Sequence, residues 1–394
     1  MTTTTPTSLV RERVAELLAT CDPGTTAPEE FLGAQFDLGL AWVHAPVGLG
    51  GLGLTADLQG LVRTELAGAP QQPTESLIGL GLAAPTLLAH GSVELCRRHL
   101  RPLFTGAEIW CQLFSEPGAG SDLAGLSTSA VRQGDAWLVS GQKVWTTFAH
   151  VASWGMVLTR TDPAATKHAG LTYFVVDMTA PGVDVRPLHQ LTGEAEFNEV
   201  FLDDVRIPDS CRVGPVGAGW SVALSTLMNE RSAIANLLPA HAPDPMATAL
   251  QLWRDNGWND EVRRDRLVQL WVRSRLASQM SQRAAEANER GVPGPEGSIG
   301  KLEVAELQQQ IAELTMDLLG QDAQLYPLGY ARQRADKADW STGDPRQRYL
   351  RTRALTIEGG TSEIMRNIIG ERVLGLPGEP RVDKALPWNE IPRG

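Results

Sequence analysis

Four short stretches of this 394-residue chain combine residue types that could do chemistry. The first is Ser115-Glu116-Pro117-Gly118-Ala119-Gly120-Ser121-Asp122. A glycine-rich loop with free backbone N–H groups can approach an anion closely, and the Ser115 and Ser121 hydroxyls add donors. The same residues would equally make an ordinary turn between a helix and a strand. The stretch fits neither GxGxxG nor the GxxxxGK phosphate loop, so no nicotinamide or P-loop reading follows. The second is Gly141-Gln142-Lys143-Val144-Trp145-Thr146-Thr147, an indole beside two hydroxyls. Trp can stack on a flat heteroaromatic ring while Thr hydrogen-bonds its edge. The alternative is a strand of β-branched residues with a core Trp.

The third is Met228-Asn229-Glu230-Arg231, inside an otherwise apolar helical run. A carboxylate held among apolar groups has a raised pKa and can act as a general base. A solvated stripe of the helix is the competing reading. The fourth is Thr356-Ile357-Glu358-Gly359-Gly360-Thr361-Ser362-Glu363-Ile364-Met365-Arg366. Its two glycines and Thr-Ser open a helix near Thr361. The free N–H groups there would suit an anion, or Thr361 or Ser362 would be a plain N-cap.

These stretches sit in a chain whose texture changes twice. Residues 1–105 read as helices, with apolar residues at helical spacing over Val10–Leu18, Ala56–Leu66 and Val93–Leu103. Gly48 to Gly53 is a loop by composition. Residues 106–218 change period. Ala136–Gly141 reads as a short strand ending in a turn, and Val157–Arg160, Leu171–Asp177 and Glu199–Leu202 are also short, apolar and β-branched. A small antiparallel β-domain is expected. Residues 219–394 are helical again, with long runs over Ser221–Leu238, Asp265–Glu286 and Lys301–Leu319. Breaks are expected at Pro239–Pro245 and Gly291–Gly297.

Composition narrows the function classes. Asp plus Glu is 46 against 35 Lys plus Arg, a formal net charge of −11. That balance disfavours a sequence-independent nucleic-acid binder, which needs a phosphate-neutralising surface. Cys21, Cys96, Cys111 and Cys211 lie far apart with no metal-finger spacing, which suggests reduced, buried thiols and a cytoplasmic protein. No signal peptide is visible in the first ten residues. The longest apolar stretch, Ser76–His90, is broken by Pro85 and falls short of the roughly 18 residues a transmembrane helix needs.

In this order and with these separations, the four stretches resemble the acyl-CoA dehydrogenase family, from the Leu52-Gly53 loop to Leu376. The resemblance implies an α+β fold: an N-terminal helical domain, a middle antiparallel β-domain and a C-terminal four-helix bundle. It implies bound FAD and α,β-dehydrogenation of an acyl-CoA thioester to the trans-2-enoyl-CoA. A glutamate removes the α-proton and a hydride passes to flavin N5. Carried over by position, Ser115 meets the flavin pyrimidine edge and Ser121 a pyrophosphate or the CoA side. Trp145 lies against the isoalloxazine and Thr147 bonds near N5. Thr361 and Glu363 reach the adenosine end, and Arg231 lies near the acyl-CoA site.

The family places its base in one of two positions. One branch puts a glutamate immediately before Gly-Thr-Ser, where this chain has Gly359. Glu358 is one residue too early. The isovaleryl and long-chain branches put the base on the helix after the β-domain, before an arginine, which selects Glu230. That placement favours a branched, long or ring-bearing acyl group. Two departures touch inter-subunit FAD binding: Glu296 falls near a family arginine, and Leu318-Leu319-Gly320-Gln321-Asp322 replaces a Gln-x-x-Gly-Gly stretch. A bacterial branch with sterol or branched-chain substrates looks similar, and some of its members pair two different chains. The implied partners are an acyl-CoA substrate, an electron-transfer flavoprotein as acceptor, and further subunits in a homotetramer or a heterotetramer with a related chain. The alternatives are a flavin monooxygenase or oxidase on the same fold, and a non-catalytic partner subunit of a heteromeric dehydrogenase.

Overall fold

A computed structural model describes residues 5–237, 244–256, 259–289, 295–325, 344–380, 383 and 385–392; for 230–237, 285, 288 and 289 it describes the backbone only. The chain divides by packing into two compact units. One comprises Met1–Arg186, Phe197–Asn229 and Val382–Gly394. The other comprises Pro187–Glu196 and Glu230–Arg381.

The first unit opens with helices α1 (Pro6–Thr20), α2 (Pro28–Asp37), α3 (Gln59–Glu65), α4 (Ala84–His90) and α5 (Val93–Thr105). Local chemistry sets their ends. The Thr5 hydroxyl accepts the Ser8 N–H and Pro6 follows at the first helical position, which starts α1. Ser92 caps α5 through the Leu95 N–H, and Gly106 ends it at φ +81°. Val10, Val14 and Leu17 recur every three or four residues, so α1 presents one apolar stripe. It is buried with Phe31, Leu40, Val43 and Val62, each such side chain contributing about 1.5–3 kcal/mol.

The strands follow: β1 (Trp110–Leu113), β2 (Ser129–Gln133), β3 (Ala136–Thr147), β4 (Trp154–Arg160), β5 (Leu171–Asp177), β6 (Val183–Leu188), β7 (Phe197–Pro208) and β8 (Arg212–Val213). They form one sheet in the order β6-β7-β3-β2-β4-β5-β8, with β1 paired to β4. Most pairs are antiparallel, as expected. Two are parallel: β1 against β4 from Trp110↔Trp154 to Leu113↔Val157, and β2 against β4 at Ser129↔Arg160. Inward residues of several strands, among them Leu113, Val139, Val157, Phe174, Val200 and Val205, close the core.

The strand expected to end in a turn at Gly141 instead runs on to Thr147. Gly141 marks a register shift against β7, not an end. A Cβ at Gly141 would sit 2.7 Å from the Thr128 Cα, so glycine is needed for close backbone approach inside the strand. Helix α6 (Gly219–Leu237) follows the sheet and crosses from the first unit into the second.

The second unit contains α7 (Pro245–Asn256), α8 (Glu261–Glu289), α9 (Glu296–Leu319), α10 (Pro345–Thr352) and α11 (Ser362–Ile368). Helix α9 is central, touching α7, α8, α10 and α11. Its buried Leu307, Ile311, Leu314 and Leu318 meet Met246 and Ala249 of α7 and Leu267 and Leu270 of α8. Residues 239–243 and 291–294 of the two expected breaks lie outside the described residues; α7 starts at Pro245 and α9 at Glu296. Among the described residues no helix is long and apolar enough to cross a membrane. All four cysteines are free; Cys96 and Cys111 are buried as expected, but Cys21 and Cys211 are half-buried.

Candidate functional site

The sheet gathers three of the residues singled out above. The Val144 N–H donates to the Ser115 carbonyl at 2.9 Å, which holds the glycine-rich turn against β3. One residue on, Trp145 stands at φ +59°, and the β3–β7 register shifts between Lys143 and Thr146. A bulky residue in the left-handed region is a genuine outlier. The bulge turns the indole outward: Trp145 is 60% exposed, with Phe197 edge-on at 6.0 Å. Ser115 and Thr147 are both half-buried. Thr147 pairs with Phe197 and Thr146 with Asn198 across the ladder. The core alternative for Trp145 is thereby set aside, whereas Thr146 beside it is fully buried.

Beneath this face lies an ion pair that sequence reasoning did not single out. Lys143 Nζ donates to Glu116 Oε1 at 2.9 Å and to the carbonyls of Phe114 and Leu158 at 3.0 and 2.9 Å. Glu116 also accepts the N–H and hydroxyl of Ser127 at 2.7 and 2.9 Å and the Thr128 N–H at 2.9 Å. Burial pushes the Glu116 carboxyl up, but Lys143 and the Ser127 and Thr128 donors outweigh it and hold it down at about 2. Burial depresses the Lys143 ammonium in turn. Beyond Glu116 the turn is exposed at Pro117, Gly118, Gly120, Ser121 and Asp122.

The second unit holds Thr361 and Glu363. The Thr361 hydroxyl accepts the Ile364 N–H at 3.1 Å, so it is the N-cap of α11. Gly359 and Gly360, at φ +64° and +95°, make the turn before it, a conformation that glycine alone adopts freely. Lys301 of α9 pins that turn by donating to the carbonyls of Leu355 and Gly360 at 2.8 and 2.6 Å. Thr361 and Glu363 border a cavity of about 550 Å³ lined also by Gln309, Gln310, Thr356 and Ser362. Glu363 is 76% exposed and pairs with Arg366 at 3.4 Å. Ser362 is buried, and among the described residues its hydroxyl has no hydrogen-bond partner.

Glu358, the alternative base, is engaged. Arg351 reaches its two carboxylate oxygens at 3.1 and 3.0 Å and lies 3.7 Å from the buried Glu196. Glu194 accepts from Gln347 at 2.7 Å in the same region. Burial raises the Glu196 carboxyl; for Arg351, burial opposes the charge, but Glu358 and Glu196 outweigh it and raise its pKa. Glu230 and Arg231 occupy adjacent positions on the α6 backbone, and their side chains lie outside the described residues. Glu296, near the position where the resemblance puts an arginine, has Arg283 at 3.6 Å. Among the described residues no group of acidic, His or Cys side chains could hold a metal ion.

The residues on the sheet face fit a flavin. Thr147 lies two residues beyond the outward-facing indole of Trp145 on the same strand, and Ser115 is joined to the neighbouring Val144 through its carbonyl. A ring that offers polar edge atoms and an apolar face would engage all three.

The N-terminal, middle and C-terminal domain families of acyl-CoA dehydrogenase match residues 1–107, 111–205 and 217–374. Acyl-CoA dehydrogenase FadE34 of Mycobacterium tuberculosis is 42% identical over 345 residues, covering 87% of this chain and 46% of FadE34. The chain thus spans about half the length of that relative. Acyl-CoA dehydrogenase IpdE1 of the same organism is 38% identical over 344 residues, covering 87% of this chain and 86% of IpdE1. The crystal structure of the ChsE4–ChsE5 complex from M. tuberculosis superposes with a TM-score of 0.69 at 27% identity, covering 96% of this chain and 100% of the matched one. With all three of its parts matched and IpdE1 aligned over most of both chains, this protein belongs to the acyl-CoA dehydrogenase family of flavin-dependent oxidoreductases.

Proposed function

We propose that this chain binds FAD and dehydrogenates an acyl-CoA thioester across its α–β bond, with Glu230 as the base. The observation that carries the reading is the bulge in β3. It holds Trp145 outward at φ +59° on the strand that also carries Thr147, and the Val144 N–H beside it bonds the Ser115 carbonyl. A strained, exposed tryptophan costs stability and is retained where a ligand covers it.

Trp145 would cover one face of the isoalloxazine, with Ser115 at its pyrimidine edge and Thr147 near N5. Ser121, exposed on the turn, would meet a diphosphate. Thr361 and Glu363 would meet the adenosine end: an exposed carboxylate repels phosphate but accepts from ribose hydroxyls. FAD, when bound, supplies the two-electron oxidant that takes the β-hydrogen. The protein must do the rest. A thioester α-proton is weakly acidic, so its removal needs a close, desolvated base and a polarised carbonyl. Glu230 takes that proton, and Arg231 beside it helps hold the substrate. The Arg351 contact on Glu358 supports this choice, because a carboxylate bonded through both oxygens is a poor base.

Glycine at 359 and a base on α6 favour a branched, long or ring-bearing acyl group. We take the acceptor to be an electron-transfer flavoprotein and the location to be the cytoplasm, which the four free cysteines suit. The assembly is a homotetramer or a heterotetramer with a related chain. The acid at Glu296, where the family has an arginine toward a neighbour's FAD, favours the mixed form.

The visible spectrum of the chain expressed alone tests the reading. Flavin bands near stoichiometric occupancy, bleached anaerobically by an acyl-CoA, are expected. A colourless chain that takes up no added FAD would overturn it in favour of a non-catalytic partner subunit. Rapid reoxidation of the reduced flavin by air would instead favour an oxidase or monooxygenase.

A further inference from the structure

Two positions of the glycine-rich turn pack against nothing. A Cβ added at Gly118 or Gly120 would meet nothing within 4 Å. Ala119, Leu123, Ala124 and Leu126 are buried, but the exposed glycines sample many conformations unless the ends of the stretch are fixed, and ordering them on binding costs affinity. Its first end is fixed by Glu116, whose N–H and carbonyl both bond Ala119, at 3.1 and 3.0 Å. Its second end is fixed by a segment more than 250 residues away in sequence, whose last described residues are Asp383 and 385–392.

That segment lies along the loop between β4 and β5. The Trp388 N–H donates to the Ala165 carbonyl at 2.9 Å, the Asn389 N–H to the Pro163 carbonyl at 3.1 Å, and Pro387 bridges Thr166. Two of its side chains then reach the turn. Trp388 Nε1 donates to the Gly125 carbonyl at 3.3 Å, and its ring covers the Arg160 guanidinium at 4.2 Å. Arg160 is itself buried and spans the end of the turn, donating to the carbonyls of Ala124 at 2.6 Å, Leu126 at 3.1 Å and Lys167 at 3.2 Å. Asp383 accepts from Lys167 at 3.0 Å, and the same ammonium lies 2.5 Å from Asp122. Asp122 is 65% exposed beside Ser121, so Lys167 both tethers the turn and offsets a carboxylate next to the anion position.

We propose that Trp388 and Asp383 are positioning residues: acting through Arg160 and Lys167, they hold the 118–126 turn in the shape that receives a nucleotide diphosphate. The inference rests on the reading of that turn given above. The diphosphate could belong to FAD or to coenzyme A, and the test separates the two. An indole over a desolvated guanidinium is a strong contact, so its loss should be felt at the turn.

The experiment uses the full chain with Trp388→Ala, Trp388→Phe and Asp383→Asn. The FAD dissociation constant is read by flavin fluorescence, and KM and kcat with an acyl-CoA. Trp388→Ala should raise one of the two binding constants about 10-fold, because small misplacements of positioning groups cost that much or more. A rise in the FAD constant assigns the diphosphate to FAD, and a rise in KM alone assigns it to coenzyme A. The kcat and the melting temperature of the apoprotein should hold. Trp388→Phe, which keeps a ring over Arg160, should restore most of the loss, and Asp383→Asn should give a smaller rise. Unchanged binding constants, or a fall in melting temperature that tracks the loss of binding, would overturn the proposal. Hydrogen exchange at residues 118–126 tests it even if no flavin binds. Faster exchange in Trp388→Ala supports the tether, and unchanged exchange refutes it.

Discussion

Lys143 and Glu116 form an ion pair with side chains 0% and 6% exposed, closed over on both sides by hydrogen bonds to the backbone. The pair joins the start of the glycine-rich turn to the strand that bears Trp145, so two stretches far apart in sequence share one anchor. Lys143→Met should therefore be severe: removing one partner of a buried pair leaves an uncompensated charge and costs about 3–5 kcal/mol. Urea midpoints would measure it. The double variant Lys143→Met, Glu116→Gln should recover part of the loss; recovery of none would mean that the lysine acts through its carbonyl contacts alone.

The same pair gives the fold an acid-sensitive element. The Glu116 carboxyl is held at about 2, below its unfolded value of 4.5. A depressed acid contributes stability that is present above the unfolded pKa and disappears as pH falls through the folded one. The unfolding free energy should thus decline between about pH 4.5 and 2. Glu116→Gln should start lower at neutral pH and decline less across that window. A parallel decline in both proteins would assign the acid sensitivity to other carboxylates.

Trp145 is expected to separate binding from folding. Its left-handed backbone costs about 1–3 kcal/mol in the apoprotein. Trp145→Gly relieves that strain and removes the stacking surface, a contact worth about 1–3 kcal/mol for a flat base on an aromatic ring. The apoprotein should melt no lower than the wild type, while the FAD dissociation constant rises at least about 10-fold. A melting temperature that falls together with FAD affinity would return Trp145 to the core.

A buried hydroxyl cluster fixes the first half of α6. Thr226 Oγ1 lies 2.9 Å from Thr86 Oγ1 and 3.2 Å from Tyr173 Oη, and donates to the Val222 carbonyl. Thr226→Val keeps the shape but leaves two buried hydroxyls without that partner, at a cost of about 1–3 kcal/mol. Denaturant midpoints of the holoprotein should fall while FAD affinity stays within experimental spread. Loss of FAD at unchanged midpoint would contradict a structural role.

The helix–strand–helix order was legible because periodicity reports burial, and burial forms most of the elements. Val10, Val14 and Leu17, or the short, almost continuously buried runs of β4 and β5, leave little choice. The continuation of β3 past Gly141 was not legible, because glycine reads as a turn until the neighbouring Thr128 backbone is known to lie where its Cβ would be. At the candidate site, Ser115, Trp145 and Thr147 were singled out from residue type, but the groups packed beneath them were not. Lys143, Lys167 and Lys301 were not singled out, yet each donates to backbone carbonyls or to carboxylates. One signal was present: only five lysines stand among the 35 basic residues. A compact ammonium with three rotatable donors suits a tight cradle of carbonyls and carboxylates. Arg351 on Glu358, and Trp388 on Arg160, depend on tertiary contacts that no local pattern encodes.

The base can be decided by two variants. Gly359 takes φ +64° and has no side chain to offer, and Glu358 beside it is bound through both oxygens by Arg351. Glu230 stands on α6, one helical turn beyond Thr226. Glu230→Gln keeps size and hydrogen bonding but cannot take a proton. FAD should remain bound while turnover drops by about 10²–10⁴ or more, the usual consequence of losing an essential proton-transfer group. Glu358→Gln weakens a partly exposed ion pair, so it should lower stability by about 1 kcal/mol or less and leave turnover within a few-fold. Stopped-flow bleaching of the flavin by acyl-CoA reads the chemical step for both. If Glu358→Gln abolishes bleaching while Glu230→Gln preserves it, then Arg351 must release Glu358 when substrate binds, and the base belongs to the α10–α11 connection instead of α6.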